Sequence, residues 1–312
     1  MADIAIIIGN GFDLDMGLPT KYSDFINSLE WQNIITKVDA FLQDKNYKEH
    51  SLVGQLQLAS KDSQWFDIEE EIHKFIAAHP DNTPQTIGEI KYEFELIRRG
   101  LANYLKSVAT NRIQNKDKLS YLLLYNLQQS PYSIVEIYFN YTNPGYFMPH
   151  TMYYSLCKFT YVHGSLQNDD IVLGCDLHSG EKVNRQLSFM YKYNMLNRAN
   201  HVALHLLEAK EIIFFGHSVN EMDFCYFREF FKVASASPKP FRHLTFITYD
   251  EQSERNIKDN IRNQGISVTD LYNNLITFTF IHTKRVYEGD VEESKNWTML
   301  LQRLLTTDRN GF

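Results

Sequence analysis

Four short segments of this 312-residue chain carry residues whose types and spacing could do chemistry. The first is Gly9-Asn10-Gly11-Phe12-Asp13, directly after the apolar run Ile4-Ala-Ile-Ile-Ile8. Two residues without a Cβ let the backbone turn sharply and approach a ligand closely. A helix starting there would aim free N–H groups at a phosphate. The second is Asn140-Tyr141-Thr142, where an amide could bind a hydroxyl or a water. The third is His163-Gly164, whose imidazole, with an unperturbed pKa of about 6.5, accepts a proton near neutrality. The fourth is Gly216-His217-Ser218, again a glycine turn with polar side chains. Each has a plainer reading beside it. Gly-x-Gly also makes an ordinary turn, and the third glycine of a dinucleotide fingerprint is replaced by Leu14. Asn140 also starts an Asx turn toward Asn143-Pro144-Gly145, His163 also fits a locally satisfied strand end, and His217 and Ser218 also fit a helix cap.

Such turns act together only if the elements carrying them end on one edge. The run at 4–8, rich in β-branched residues, predicts a buried parallel strand. Similar runs follow at 135–139, 159–162, 211–215, 244–248 and 275–281. Between the first two, the period turns helical. Thr20 is placed to cap a helix through Tyr22, Phe25, Ile26 and Leu29. A second helix is predicted at 64–75 with Trp65, Ile68, Ile72 and Phe75 on one face, then a loop at 80–86. Further helices are predicted at 90–105, 119–127 and 197–210. Alternating strands and helices predict an α/β fold, a Rossmann-like three-layer parallel sheet with a large helical insertion after the first strand. Residues 1–24 and 131–312 would form the sheet domain, and 25–130 an insertion covering its ligand edge. In open parallel sheets ligands bind beyond the carboxyl ends of the strands, where all four turns would lie.

Composition narrows the partners. A formal charge of −7 without a Lys/Arg-rich tract argues against general nucleic-acid binding. No apolar run approaches the ~20 residues of a membrane span, and the N-terminus enters a core strand at once, so a cytoplasmic location is expected. Cys157, Cys175 and Cys225 are scattered, as in a reducing compartment, and cannot form a four-cysteine zinc ribbon. His201 and His205 lack the glutamate of a zinc-protease helix, so no metal is expected.

The order of these turns resembles the sirtuins, the NAD-consuming enzymes. Gly9-Asn-Gly11, three residues after Asp13, and Gly17-Leu18-Pro19 repeat the glycine and proline spacing of the sirtuin first loop. Phe139-Asn140-Tyr141-Thr142, His163-Gly164 and Gly216-His217-Ser218-Val219 stand where that family has Gln-Asn-Ile-Asp, His-Gly and Gly-Thr-Ser-Leu. Over nearly the whole chain, Ile-Ile-Gly-Asn-Gly-Phe-Asp, Gly-Leu-Pro-Thr-x-Tyr22, Trp65-x-Asp67-Ile-Glu69, Phe-Asn-Tyr and Gly-His-Ser-x-Asn-Glu221-x-Asp223 resemble the AbiH abortive-infection family of phage-defence proteins. The sirtuin pattern is not complete. Asp13 replaces a serine, Lys21-Tyr22 replaces a Phe-Arg pair, and the zinc cysteines are absent, which counts against protein deacylation.

The resemblances imply a phage-defence protein that takes NAD as substrate, without a metal, and hydrolyses it to nicotinamide and ADP-ribose. Transfer of ADP-ribose, and sensing of NAD or ADP-ribose without turnover, are the alternatives. The oxocarbenium-like transition state needs the dinucleotide held and a nucleophile placed. Asn140 and His163 are the implied catalytic residues. Gly9, Asn10, Gly11, Phe12, Asp13, Pro19, Thr20, Tyr22, Gly216, His217 and Ser218 are the implied dinucleotide contacts. Glu69 joins them through the Trp65-x-Asp67-Ile-Glu69 motif, although on a helix Asp67 with Glu71, and Glu69 with His73, also read as solvated flanks. A phage-derived trigger and a homo-oligomer are further expected partners.

Overall fold

Every strand anticipated from the apolar runs is present in the computed structural model, with ends displaced by one or two residues. The structure describes residues 2–42, 51–62, 66–110, 115–143, 157–177, 180–194, 201–236 and 242–306. They fall into two compact units: Met1–Leu18, Arg112–Val162 and Arg198–Phe312 form the first, Pro19–Asn111 and His163–Asn197 the second. The division read from sequence placed the breaks at 24/25 and 130/131. In the structure residues 163–197 also group with the helical segment.

The first unit holds the whole sheet: β1 Ile4–Ile8, β2 Ile134–Tyr138, β3 Cys157–Tyr161, β4 Glu211–Phe215, β5 His243–Thr248 and β6 Thr277–His282. All pairings are parallel, in the order β3-β2-β1-β4-β5-β6. This is the order of doubly wound sheets, whose direction of winding reverses beside the first strand. Here the reversal lies between β1 and β4. Residues 4–8 are fully buried on both faces, which explains why that run shows no polar alternation. On one face Ala5, Ile7, Ile212, Phe214 and Phe246 pack with Leu206, Phe230, Ile257 and Leu271 from helices Val202–Glu208, Arg228–Ala236, Glu251–Asn263 and Val268–Asn274. On the other, Arg303 of helix Val291–Leu305 grips the buried Glu211 of β4 with two hydrogen bonds (2.9 and 3.0 Å). Helix Leu119–Gln129 packs on that same terminal helix.

The second unit is helical: Tyr22–Ile26, Leu29–Leu42, Leu52–Asp62, Ile68–Ala78 and Pro84–Thr110. Four expectations are corrected. Lys21, not Thr20, caps the first helix, with its N–H donating to Asp24 Oδ2 (3.0 Å). That helix stops at Ile26, and a new one begins at Leu29. Asp67 is an N-cap rather than a helix flank, because its carboxylate accepts the Glu69 N–H (2.8 Å) and so starts the helix there. The long helix begins at Pro84 instead of near 90, since proline suits a first helical turn, where its missing N–H has no partner to lose. Trp65 and residues 197–200 lie outside the described residues. Among the described residues no helix is long and apolar enough to cross a membrane.

Candidate functional site

The turns after β1 and β4 are built against each other. Gly9 N–H donates to Phe215 O (3.0 Å), and Gly11 N–H donates to Gly216 O (2.9 Å). A Cβ on Gly9 would lie 2.6 Å from Gly216 O, and one on Gly11 would lie 2.6 Å from Gly216 Cα. Gly216 has φ +64, and a Cβ there would meet Gly11 backbone at 2.4 Å. The three glycines are therefore required by the contact of two backbones at the point where the winding reverses. The close approach anticipated for a ligand is made, in the protein, by the neighbouring turn. Gly9 caps the short helix Asn10–Asp15, leaving Asn10 exposed at its first position. Phe12 is buried edge-on against Phe215 (5.2 Å between ring centres).

His217 continues the β4 turn and is enclosed by Phe139 and Phe227 at ring distances of 4.4 and 5.1 Å. Its Nδ1 accepts the Val219 N–H (2.9 Å), so in the neutral ring the proton sits on Nε2, 3.6 Å from Asp223 Oδ2. Val219 takes φ +51, a rare conformation for a β-branched residue, and is fully buried. Ser218 is exposed, and its carbonyl accepts a bond from Asn260 Nδ2 (3.0 Å).

Beside this pair of turns, β2 ends in a closed polar cluster. Phe139 N–H donates to Ile8 O (2.8 Å), fixing the end of β2 to the end of β1. Asn140 Nδ2 then donates to Asp13 Oδ1 (2.9 Å) and to Thr142 Oγ1 (2.9 Å). Thr142 Oγ1 donates to the Asp13 carboxylate, 2.7 Å from each oxygen. All three side chains are buried. Burial pushes the Asp13 carboxyl up from 3.8 to about 7, against the lowering effect of the Thr142 and Asn140 bonds. Asp13 caps no helix. The Asn140 Oδ1 is buried and has no hydrogen-bond partner among the described residues. Buried polar atoms are nearly always paired in folded proteins, so this acceptor calls for a donor.

The remaining sequence candidates belong to the second unit. Pro19 is exposed, and its carbonyl accepts the Tyr104 hydroxyl (2.7 Å). Thr20 is buried and Tyr22 half-buried. His163 is buried, with its carbonyl accepting Val172 N–H (2.8 Å). Gly164 (φ +76) is needed because a Cβ would sit 2.0 Å from Asp170 O. Glu69 Oε2 accepts from Lys192 Nζ (2.7 Å), and both side chains are buried. Thr142 and Asp223 lie within the sequence motifs, but nothing in those motifs marks a role for either. The signal for Thr142 was its spacing from Asn140, since residues two apart leave a strand end on the same side. Among the described residues no group of three His, Cys, Asp or Glu could hold a metal.

The family model described as bacteriophage abortive infection AbiH matches residues 5–240. The chain belongs to the AbiH family. Its match spans β1 through β4, including all the turns described above, and brings with it a role in phage abortive infection. No curated protein and no solved structure matches the chain.

Proposed function

We propose that the carboxyl edge of the first unit binds NAD, and that the chain hydrolyses it to nicotinamide and ADP-ribose during abortive infection. The supporting observation is the buried, unpartnered Asn140 Oδ1 at the end of β2, next to the two packed turns where the winding of the sheet reverses. An acceptor there suits a ribose hydroxyl or the attacking water. In the reaction, water adds to the ribose anomeric carbon, and the electrons of the carbon–nitrogen bond pass to nicotinamide, which leaves neutral. One proton is released. Asn140 orients the hydroxyl or water, and the roles of Gly9, Asn10 and Gly11 toward the diphosphate rest on the sirtuin resemblance. The sirtuin resemblance alone assigns the proton acceptor to His163, and Ser218, Tyr22 and Glu69 carry their binding roles on resemblance too.

Incubation of the pure protein with adenylate-labelled NAD tests this, with and without phage lysate. Release of nicotinamide and free ADP-ribose supports hydrolysis, and label on protein supports transfer instead. Saturable binding without either product supports sensing. No release and no binding under any condition overturns the reading. His163→Ala should lower turnover by 10²–10⁴-fold, the range for a placed acid–base group.

A further inference from the structure

We propose that Asp13 is a positioning residue for Asn140. With Thr142 it takes both amide hydrogens and leaves the amide oxygen as the group offered to ligand. The inference rests on reading this edge as the NAD site, and it goes beyond that reading by fixing what the site can accept. The bond inventory decides the orientation. Thr142 has one hydroxyl hydrogen and spends it on the Asp13 carboxylate (2.7 Å), so its oxygen faces Asn140 as an acceptor. The Asp13 Oδ1 facing Asn140 is an acceptor as well. Both neighbours therefore demand a donor, and Nδ2 supplies its two hydrogens at 2.9 Å each. A flipped amide would set its oxygen against two acceptors. Oδ1 is thereby turned away from the cluster, buried and unmatched.

The consequence is a chemical selection at Asn140. It takes a hydroxyl, a water or an N–H, and rejects a phosphate or carbonyl oxygen. A ribose hydroxyl of NAD, or the water that attacks it, meets that requirement. Asp13 is then no ligand contact, since its carboxylate oxygens are taken by Asn140 and Thr142. The side chains bonded to the carboxylate are neutral, and the nearby Asp15 is held by Ser120 (2.6 Å) and Tyr287 (2.8 Å). Burial that raises Asp13 toward neutrality makes the clamp sensitive to pH, because a protonated Asp13 can itself donate and no longer enforces one orientation.

The test pairs a ligand-free measurement with kinetics on NAD. In protein labelled with ¹⁵N-asparagine, the Asn140 side-chain amide, assigned by its loss in Asn140→Asp, should exchange slowly with water. Its shift should titrate with a midpoint near 7, and Asp13→Asn should abolish the titration. Thr142→Ser should keep the slow exchange, and Thr142→Val should lose it. With NAD, Asp13→Asn should lower kcat on the order of 10²-fold, as for a misplaced reacting group. It should change KM little and alter the acidic limb of the pH profile, leaving the part set by His163. A freely exchanging, non-titrating Asn140 amide overturns the proposal. So does an Asp13→Asn enzyme with the wild-type kcat and pH profile. A protected, titrating amide in a protein that neither binds nor cleaves NAD supports the clamp and overturns the NAD reading instead.

Discussion

Asp13 in the first unit and Glu93 in the second are both buried carboxylates raised to about 7 by burial, yet they serve different ends. Glu93 accepts the Val53 N–H (2.8 Å) and a Ser51 bond, so it satisfies the start of helix Leu52–Asp62 and leaves its surroundings complete. Among the described residues the Asp13 carboxylate is bonded by side chains only, and one of them, Asn140, is left with an unmatched buried oxygen. A raised pKa is thus not by itself the mark of a site. The unmatched neighbour is what separates the two. Glu69 and Glu211 are handled in a third way, each buried against its own cation, Lys192 and Arg303.

The largest expected effect breaks an ion pair, for contrast with the two unpaired acids. Lys192→Met should cost about 3–5 kcal/mol by urea unfolding, because it removes one partner of a buried ion pair. Adding Glu69→Leu should recover most of the loss, and a single variant as stable as wild type would show the pair to be idle.

Both acids also make stability depend on pH. For Asp13 and Glu93 the folded-state value lies above the unfolded one, so the folded protein holds their protons more tightly. Their stabilising contribution is complete below about pH 4 and is lost as pH rises through about 7. Each should account for about 3–4 kcal/mol of that loss, by the usual conversion of pKa into free energy. Asp13→Asn and Glu93→Gln should each flatten the stability curve between about pH 4 and pH 7. An unchanged slope in either would remove that residue from the comparison.

Activity should then divide the two acids. Glu93→Gln should leave the pH profile of NAD turnover as it is, whereas Asp13→Asn alters it. Equal effects from both would mean that the two acids play the same part. The smallest effect concerns Ser51→Ala, which removes one bond to Glu93 and should cost about 1 kcal/mol. Turnover should stay at the wild-type rate, and a loss of turnover would mean that the Glu93 cluster also shapes the site.

Sequence alone determined the sheet. An all-apolar β-branched run such as 4–8 is stable only when buried on both faces, and that requirement is local enough to read residue by residue. It also located the turns at Gly9, Asn140, His163 and Gly216, since glycine and polar residues interrupt such runs wherever a strand must end. Helix starts were less legible. Thr20 against Lys21, and a start near 90 against Pro84, turned on which of several adequate caps the chain used. What only the tertiary structure decided was how the turns are employed. Nothing local in Gly11 says that its missing Cβ makes room for Gly216, more than two hundred positions along the chain. Nothing in Asp13 says that its partners are Asn140 and Thr142 rather than a helix end or a ligand. Those choices follow from the parallel crossovers that bring the ends of β2, β1 and β4 side by side, and only there does an amide become oriented and its oxygen left to be matched.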